Sequence, residues 1–380
     1  MVHAMRAMSL AEIETPKLLL DLGRLDANLA RMEARADALG VALRPHMKTA
    51  KSVDVARRAG AGAITVSTLR EAEYFAAAGF TDILYAVGIA PVKLPHAARL
   101  RQSGVDLTLT LDSVEAADAA TAVSRALGQP LPFLIEIDSD GHRAGVAAHS
   151  DQLLKIAARL DPAWTPLRGV MTHAGESYNL RGDEALAAMA EQERAAAVLA
   201  AERLRAVGHA APVVSVGSTP TALNARKLTG VTELRAGVYM MFDLVMAAIG
   251  VCGFADIALS VLTTVIGRQD AKGWIIVDAG WMALSRDKGA ARADFDPGYG
   301  LVCDEAGAIL EGLTMIGANQ EHGIIGRRDD MPPEPGAFPI GRRLRILPNH
   351  ACATAAQHQA YHVLDAGGAV TAVWPRMNGW

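Results

Sequence analysis

The sequence predicts an α/β chain: a (β/α)8 barrel with a second, mainly β domain. Two observations predict it. Ahead of residue 250, eight short apolar runs rich in β-branched residues alternate with longer Ala/Leu/Glu/Arg-rich stretches of helical periodicity. Beyond residue 250 the helical stretches thin out, and strand candidates are joined by Gly/Pro/Asp-rich turns. A doubly wound open sheet is the alternative arrangement of the same alternation.

The elements follow in order. Residues 17–22 read as a strand and 24–39 as a helix. That strand stands ahead of the barrel and is assigned to the second domain. The expected division is therefore 23–250 for the barrel and 251–380, with a strand from 1–22, for the β domain. The barrel strands are expected at 41–45, 63–67, 82–87, 106–111, 133–138, 169–172, 213–216 and 232–234. Helices are expected at 69–78, 113–127, 150–160 and 183–207, the last opened by Asp183 and Glu184, acids suited to a helix N-terminus. In the second domain, strands are expected at 260–267, 274–278, 343–346 and 368–374, and 327–339 reads as a surface loop.

Composition narrows the function classes. At roughly 150 residues per domain, 380 residues make two or three domains. The chain is 51% hydrophobic and 21% charged, enough to bury a large aliphatic core. Lys+Arg 37 against Asp+Glu 41 leaves a charge of -4, which argues against nucleic acid or an anionic membrane as partner. Cys252, Cys303 and Cys352 are too few and too scattered for a disulfide framework, so a cytoplasmic location is expected. Neither a signal-peptide core nor an apolar run of about 20 residues is present.

Barrel chemistry sits on the loops after the strand C-termini. The first barrel strand ends in RPHMKTAKS, bringing His46, Lys48 and Lys51 to the mouth. The fifth runs into IDSDGHRAGV with His142 and Arg143, and the sixth into MTHAGESY with His173 and Tyr178. The seventh ends at Gly217, Ser218 and Thr219, and the eighth in LRAGVY with Arg235, Gly237 and Tyr239. Taken singly, each is an ordinary loop charge or turn. Together, two Gly-containing turns on adjacent strands suit a phosphate, and a lysine with a histidine ring and two arginines suits a pyridoxal phosphate Schiff base.

On these motifs the chain resembles the fold-type III pyridoxal-phosphate enzymes, the alanine-racemase-like family, over almost its whole length. The resemblance implies Lys48 as the Schiff-base lysine, His173 stacked on the pyridine ring, and Arg143 at the phenolic oxygen. It implies Arg235 at the pyridine nitrogen, where a fixed cation disfavours protonation and weakens the ring as an electron sink. Gly217, Ser218, Gly237 and Val238 would hold the phosphate, helped by Tyr178, Thr219 and Tyr239. A non-catalytic pyridoxal-phosphate carrier is the rival class, but it has no need of the residues after 250.

The second domain contains LPNHACAT. In a β-strand His350 and Cys352 would share a face and could reach one ion, with Zn2+ favoured and Mn2+ or Mg2+ also suited. With DAGWMALSRD (278–287) and ANQEHG (318–323), this pair resembles the metal-dependent branch of the family. That branch includes D-serine dehydratases, D-threo-3-hydroxyaspartate dehydratases and D-threonine aldolases. The aldolases typically carry His-x-Asp at the metal pair, so Cys352 is more like the dehydratases, and the 3-hydroxyaspartate enzymes are nearest.

The implied reaction is elimination from a D-3-hydroxy amino acid. Lys48 removes the Cα proton, and a metal on His350 and Cys352 activates the β-hydroxyl as a Lewis acid. Ammonia and a 2-oxo acid result. His322 is a candidate acid near the metal, and Arg286, Lys288 and Arg292 are candidates for a substrate side-chain carboxylate. The resemblance also implies a homodimer with shared active sites.

Overall fold

The structure, a computed structural model, describes residues 6–289, 296–327 and 337–380. The chain divides into two compact units. One is 31–237 with the last two residues; the other is 1–30 with 238–378.

The first unit is a nearly closed barrel of eight parallel strands. Around the sheet they run Ala42–Pro45, Glu233–Ala236, Val213–Val216, Leu167–Thr172, Phe133–Asp138, Asp106–Leu111, Asp82–Gly88 and Ala63–Val66. The two ends meet at a bridge between His46 and Thr65, where the Met47 amide donates to the Thr65 carbonyl at 2.8 Å. The expected strands are all present, within about two residues at each end. Several helices start where a hydroxyl caps a free amide: Thr68 accepts from Glu71, Ser113 from Ala116, and Ser150 from Gln152. The helix expected at 150–160 is shorter, Asp151–Ala157.

The barrel interior is layered. Near the strand N-termini, Arg44 pairs with Glu233 and Asp82, each at 2.8 Å, and Arg168 pairs with Asp106. Above these ions Leu84, Leu134 and Met171 form an aliphatic cluster with Ala86 and Val213 against it. The polar residues beyond it, at the strand C-termini, are left for chemistry.

The second unit is a nine-stranded sheet. Its order is Trp274–Val277, Gly323–Arg327, Ile309–Ala318, Leu301–Cys303, Arg343–Leu347, Leu259–Gln269, Lys17–Asp21, Ala360–Leu364 and Val370–Pro375. A further pairing between Trp274–Val277 and Leu259–Gln269 closes the first six into an antiparallel barrel. Lys17–Asp21 runs antiparallel to Leu259–Gln269 and parallel to Ala360–Leu364. Leu10, Ile13, Leu19, Leu262, Leu364 and Val370 form a buried cluster beneath it. Strands 301–303, 309–318, 323–327 and 360–364 were not among those expected. Of the expected surface loop, residues 328–336 lie outside the described residues, as does Arg292. Among the described residues no helix is long and apolar enough to cross a membrane.

Candidate cofactor and metal sites

At the barrel mouth, Lys48 and Lys51 are separated by their partners. Residues 47–51 form one tight turn, closed by the Lys51 amide on the Met47 carbonyl, with Lys51 itself at φ +44°. The Lys51 ammonium is 3.1 Å from the buried Glu71 carboxylate. Lys48 makes no ion pair among the described residues, and its charge acts on two neighbouring rings, His46 and His173. Burial first, and the Lys48 cation second, hold both histidines neutral: His46 well below the ordinary value, His173 down to about 3. His173 Nδ1 is 3.0 Å from the Gly217 carbonyl, which only accepts, so the proton sits on Nδ1. The Tyr178 ring is tilted beside it at 6.2 Å between centroids.

Arg235 is buried. It donates to the Ser215 hydroxyl and, at 2.5 Å, to the Thr172 carbonyl; Ser215 donates onward to Glu233 at 2.5 Å. Burial lowers its pKa, and the carboxylates of Glu233, Glu193 and Glu136 oppose that loss. Glu233 and Arg235 share a strand face at i and i+2. The sequence reading missed this support, although the ELR spacing carried it.

Glu193 was missed as well. From the helix Asp183–Ala206 its Oε1 accepts the Ala174 amide at 2.9 Å and the Gly217 amide at 3.0 Å. It thereby ties the turn after His173 to the turn at Ser218. The signal was available: Leu186, Ala190, Glu193, Ala197 and Leu204 follow one buried helical stripe, and a carboxylate in such a stripe needs donors.

Arg143 is exposed, with Glu136 at 3.8 Å. Burial raises the Glu136 pKa. The His142 ring lies so close to Gly175 that a Cβ there would sit 2.3 Å from it. Gly217 (φ +135°) and Gly237 are glycines for close strand approach: a Cβ would meet the Arg235 carbonyl at 2.0 Å and the His46 carbonyl at 2.6 Å. The Gly217 amide goes to Glu193 and the Ser218 amide to the Thr221 hydroxyl at 3.0 Å, so these backbone donors already serve protein acceptors. The Ser218 hydroxyl caps the helix Thr219–Asn224 and meets the Ser177 hydroxyl at 3.0 Å. Val238 and Tyr239, both buried, form a 3-10 turn that opens the chain's return into the other unit. The donor set fits pyridoxal phosphate: an amine without an ion pair, a neutral imidazole and a buried guanidinium converge at one strand-end layer.

In the second unit the β-strand expected to hold His350 and Cys352 is not there. The strand Arg343–Leu347 ends first; His350 is the extended N-cap of a short helix, Ala351–Ala355, and Cys352 lies in its first turn. The two side chains still meet: Cys352 is within hydrogen-bonding reach of the His350 ring. Asp287 Oδ2 is 2.6 Å from His350 Nδ1. Buried Asp243 caps two helices, accepting Met246 at 2.9 Å and Ala351 at 2.8 Å. Burial works against the His350 cation, yet Asp287, Cys352 and Asp243 outweigh it and push its pKa up to about 11. Among the described residues no three His, Cys, Asp or Glu side chains converge as metal ligands. The pair thus fits an open site whose other positions take water or substrate.

The two expected motifs of this unit pack together. The Trp281 amide donates to the Asn319 carbonyl at 2.8 Å and the Met282 amide to the Gln320 carbonyl at 3.1 Å. His322 is exposed, and no described contact joins it to His350. Arg286 lies over the Trp281 ring at 5.2 Å and Lys288 over Tyr299 at 4.2 Å.

Comparison with known proteins places this geometry. Residues 20–244 match the alanine racemase N-terminal domain, and 258–364 a putative serine dehydratase domain. The chain is 58% identical to a D-threo-3-hydroxyaspartate dehydratase from Delftia sp. (strain HT23), over 98% of this chain and 99% of that one. It is 29% identical to a D-serine dehydratase from Dictyostelium discoideum, over 93% and 94% of the two chains. The solved structure of the Delftia protein superposes at a TM-score of 0.96 and 57% identity, covering 98% of this chain and 100% of that one. Solved structures of a D-threo-3-hydroxyaspartate dehydratase at 57% identity also include a histidine-to-alanine mutant and, two positions later, a cysteine-to-alanine mutant described as metal-free.

Proposed function

We propose a function from one premise: the chain belongs to the family of the alanine racemase N-terminal domain, here joined to a serine dehydratase domain. It is a pyridoxal-phosphate-dependent lyase. Its reaction is the dehydration of a D-3-hydroxy amino acid, D-threo-3-hydroxyaspartate, to oxaloacetate and ammonia. The 58% identity to the Delftia enzyme, over 98% of this chain, carries this reading. A non-catalytic carrier would not need the second, dehydratase-like domain. In this reading residues 23–250 bind the cofactor and 251–380 the metal.

When bound, pyridoxal phosphate supplies an electron sink, and a divalent ion supplies a Lewis acid for hydroxide, a poor leaving group. Lys48 would hold the cofactor through its amine and, with that amine free, would take the substrate Cα proton. His173 would serve the pyridine ring as a neutral imidazole, its orientation held by the Gly217 carbonyl. Arg235, anchored through Ser215 to Glu233, would set a fixed cation beside the pyridine nitrogen and disfavour protonation there. Arg143 serves the phenolic oxygen. Ser218, Thr219, Gly217, Gly237, Val238 and Tyr239 would hold the phosphate, with Tyr178 as helper. His350 and Cys352 would hold the ion, for which imidazole and thiolate favour Zn2+ over Mn2+ or Mg2+. The histidine and cysteine chosen for mutation in the relative have the same spacing, which supports this pair. A homodimer with shared active sites and a cytoplasmic location complete the proposal; an active monomer in sedimentation would remove the dimer.

One assay tests the substrate. D-threo-3-hydroxyaspartate, D-serine and D-threonine are incubated separately, and ammonia, 2-oxo acid and glycine are measured. Oxaloacetate with ammonia from hydroxyaspartate is expected. Glycine without ammonia would make the enzyme an aldolase, and much faster pyruvate release from D-serine would make it a D-serine dehydratase.

A further inference from the structure

Asp287 is more firmly placed than a loop carboxylate needs to be. Its Oδ2 lies 2.6 Å from His350 Nδ1, and its Oδ1 accepts the Gly289 amide at 2.8 Å. The turn that delivers it is strained: Ser285, buried, holds φ +85°, a region glycine normally fills. Such strain costs on the order of 1–3 kcal/mol and persists only where the surroundings over-determine it. The surroundings here bolt this turn to the segment carrying Cys352. The Thr354 hydroxyl donates to the Leu284 carbonyl, and His358 Nε2 lies 2.9 Å from the Ala283 carbonyl.

We propose that Asp287 is the positioning residue of the metal pair, fixing the tautomer and ring orientation of His350 so that Nε2 is presented, with Cys352, to a divalent ion. This rests on the reading of His350 and Cys352 as the metal donors. An ionised carboxylate only accepts, so Nδ1 must donate to Asp287, and a divalent ion would displace the proton on Nε2. The proton therefore stays on Nδ1, the lone pair is left on Nε2, and the hydrogen bond raises that nitrogen's basicity. Asp287 does not act as a ligand itself, since no three donors converge among the described residues.

The test is a Zn2+ titration of the full-length, cofactor-loaded protein after metal stripping, in competition with a chromogenic chelator. The unaltered protein is compared with Asp287→Ala, Asp287→Asn and Cys352→Ala. Asp287→Ala is expected to weaken Zn2+ binding by about 10–100-fold, with the cofactor absorption band unchanged. Asp287→Asn, the same shape with a weaker acceptor, is expected to fall between it and the unaltered protein. It carries the comparison alone if the alanine variant does not fold. Unchanged affinity in a folded variant overturns the proposal. So does a loss in Asp287→Ala equal to that in Cys352→Ala with no recovery in Asp287→Asn, which would make Asp287 a ligand. If the unaltered protein takes up no Zn2+, the donor-pair reading itself fails and this inference falls with it.

Discussion

Lys51 Nζ lies 3.1 Å from Oε1 of Glu71, a carboxylate whose side chain has no exposed surface. That pairing separates two lysines that look alike in KTAKS. Lys51 is held as a counter-ion, whereas Lys48 makes no ion pair among the described residues.

Borohydride reduction of the cofactor-loaded protein is therefore expected to fix the cofactor on Lys48, as read by peptide mapping. Lys51→Ala removes the cation of a buried pair and is expected to cost about 3–5 kcal/mol in denaturant unfolding. Lys48→Ala should stay within about 1 kcal/mol of the unaltered protein. An adduct on Lys51 would reverse the two roles.

Glu193 should show its structural role in two substitutions. Glu193→Ala strands the buried Ala174 and Gly217 amides, at about 1–3 kcal/mol each, whereas Glu193→Gln keeps an acceptor. Burial raises the folded pKa of Glu193. The stability its proton contributes is then full below the ordinary glutamate pKa and lost as pH rises through the raised value. Glu193→Gln is expected to gain on the unaltered protein across that window, measured as Tm from pH 4 to 8. Alanine and glutamine variants of equal stability would refute the tie between the two turns.

Acid should destabilise the barrel through His46 and His173. Both folded pKa values lie below the unfolded one, that of His173 at about 3, because burial and the Lys48 cation disfavour the charged rings. Stability is full above the unfolded histidine pKa and is lost as pH falls toward the folded values. The slope is about 1.4 kcal/mol per pH unit for each ring. Urea midpoints at pH 7, 6 and 5 read it directly. His173→Asn is expected to flatten the profile; an unchanged slope would mean that the ring charges in the fold.

Metal removal should separate the two chemistries. Exhaustive chelation is expected to abolish ammonia release while the cofactor absorption band persists, and Cys352→Ala should behave likewise. Full turnover with metal verified absent would return His350 and Cys352 to a purely structural role.

Much of the barrel was legible because its signals are local. Alternating apolar runs and helical stripes are set by neighbours two to four residues away, so each barrel strand was found to within a residue or two. In the second unit that signal failed. Strands Ile309–Ala318 and Gly323–Arg327 carry Gly312, Gly317, Gly323 and Gly326, residues of poor strand propensity that only pairing with distant strands holds extended. The candidate site divides in the same way. Lys48, His173, Arg235, His350 and Cys352 were read from motif and resemblance, and the His350–Cys352 pair was expected on a strand but formed at a helix start.

By itself the sequence determined the alternation that makes a barrel, and the side chains able to act as amine, ring, guanidinium and thiol. Which of two lysines is held by a carboxylate, and which carboxylate turns His350, was decided only in the tertiary structure. Glu71 and Asp287 lie far along the chain from the residues they hold. Their contacts depend on burial and strand packing that no local pattern encodes.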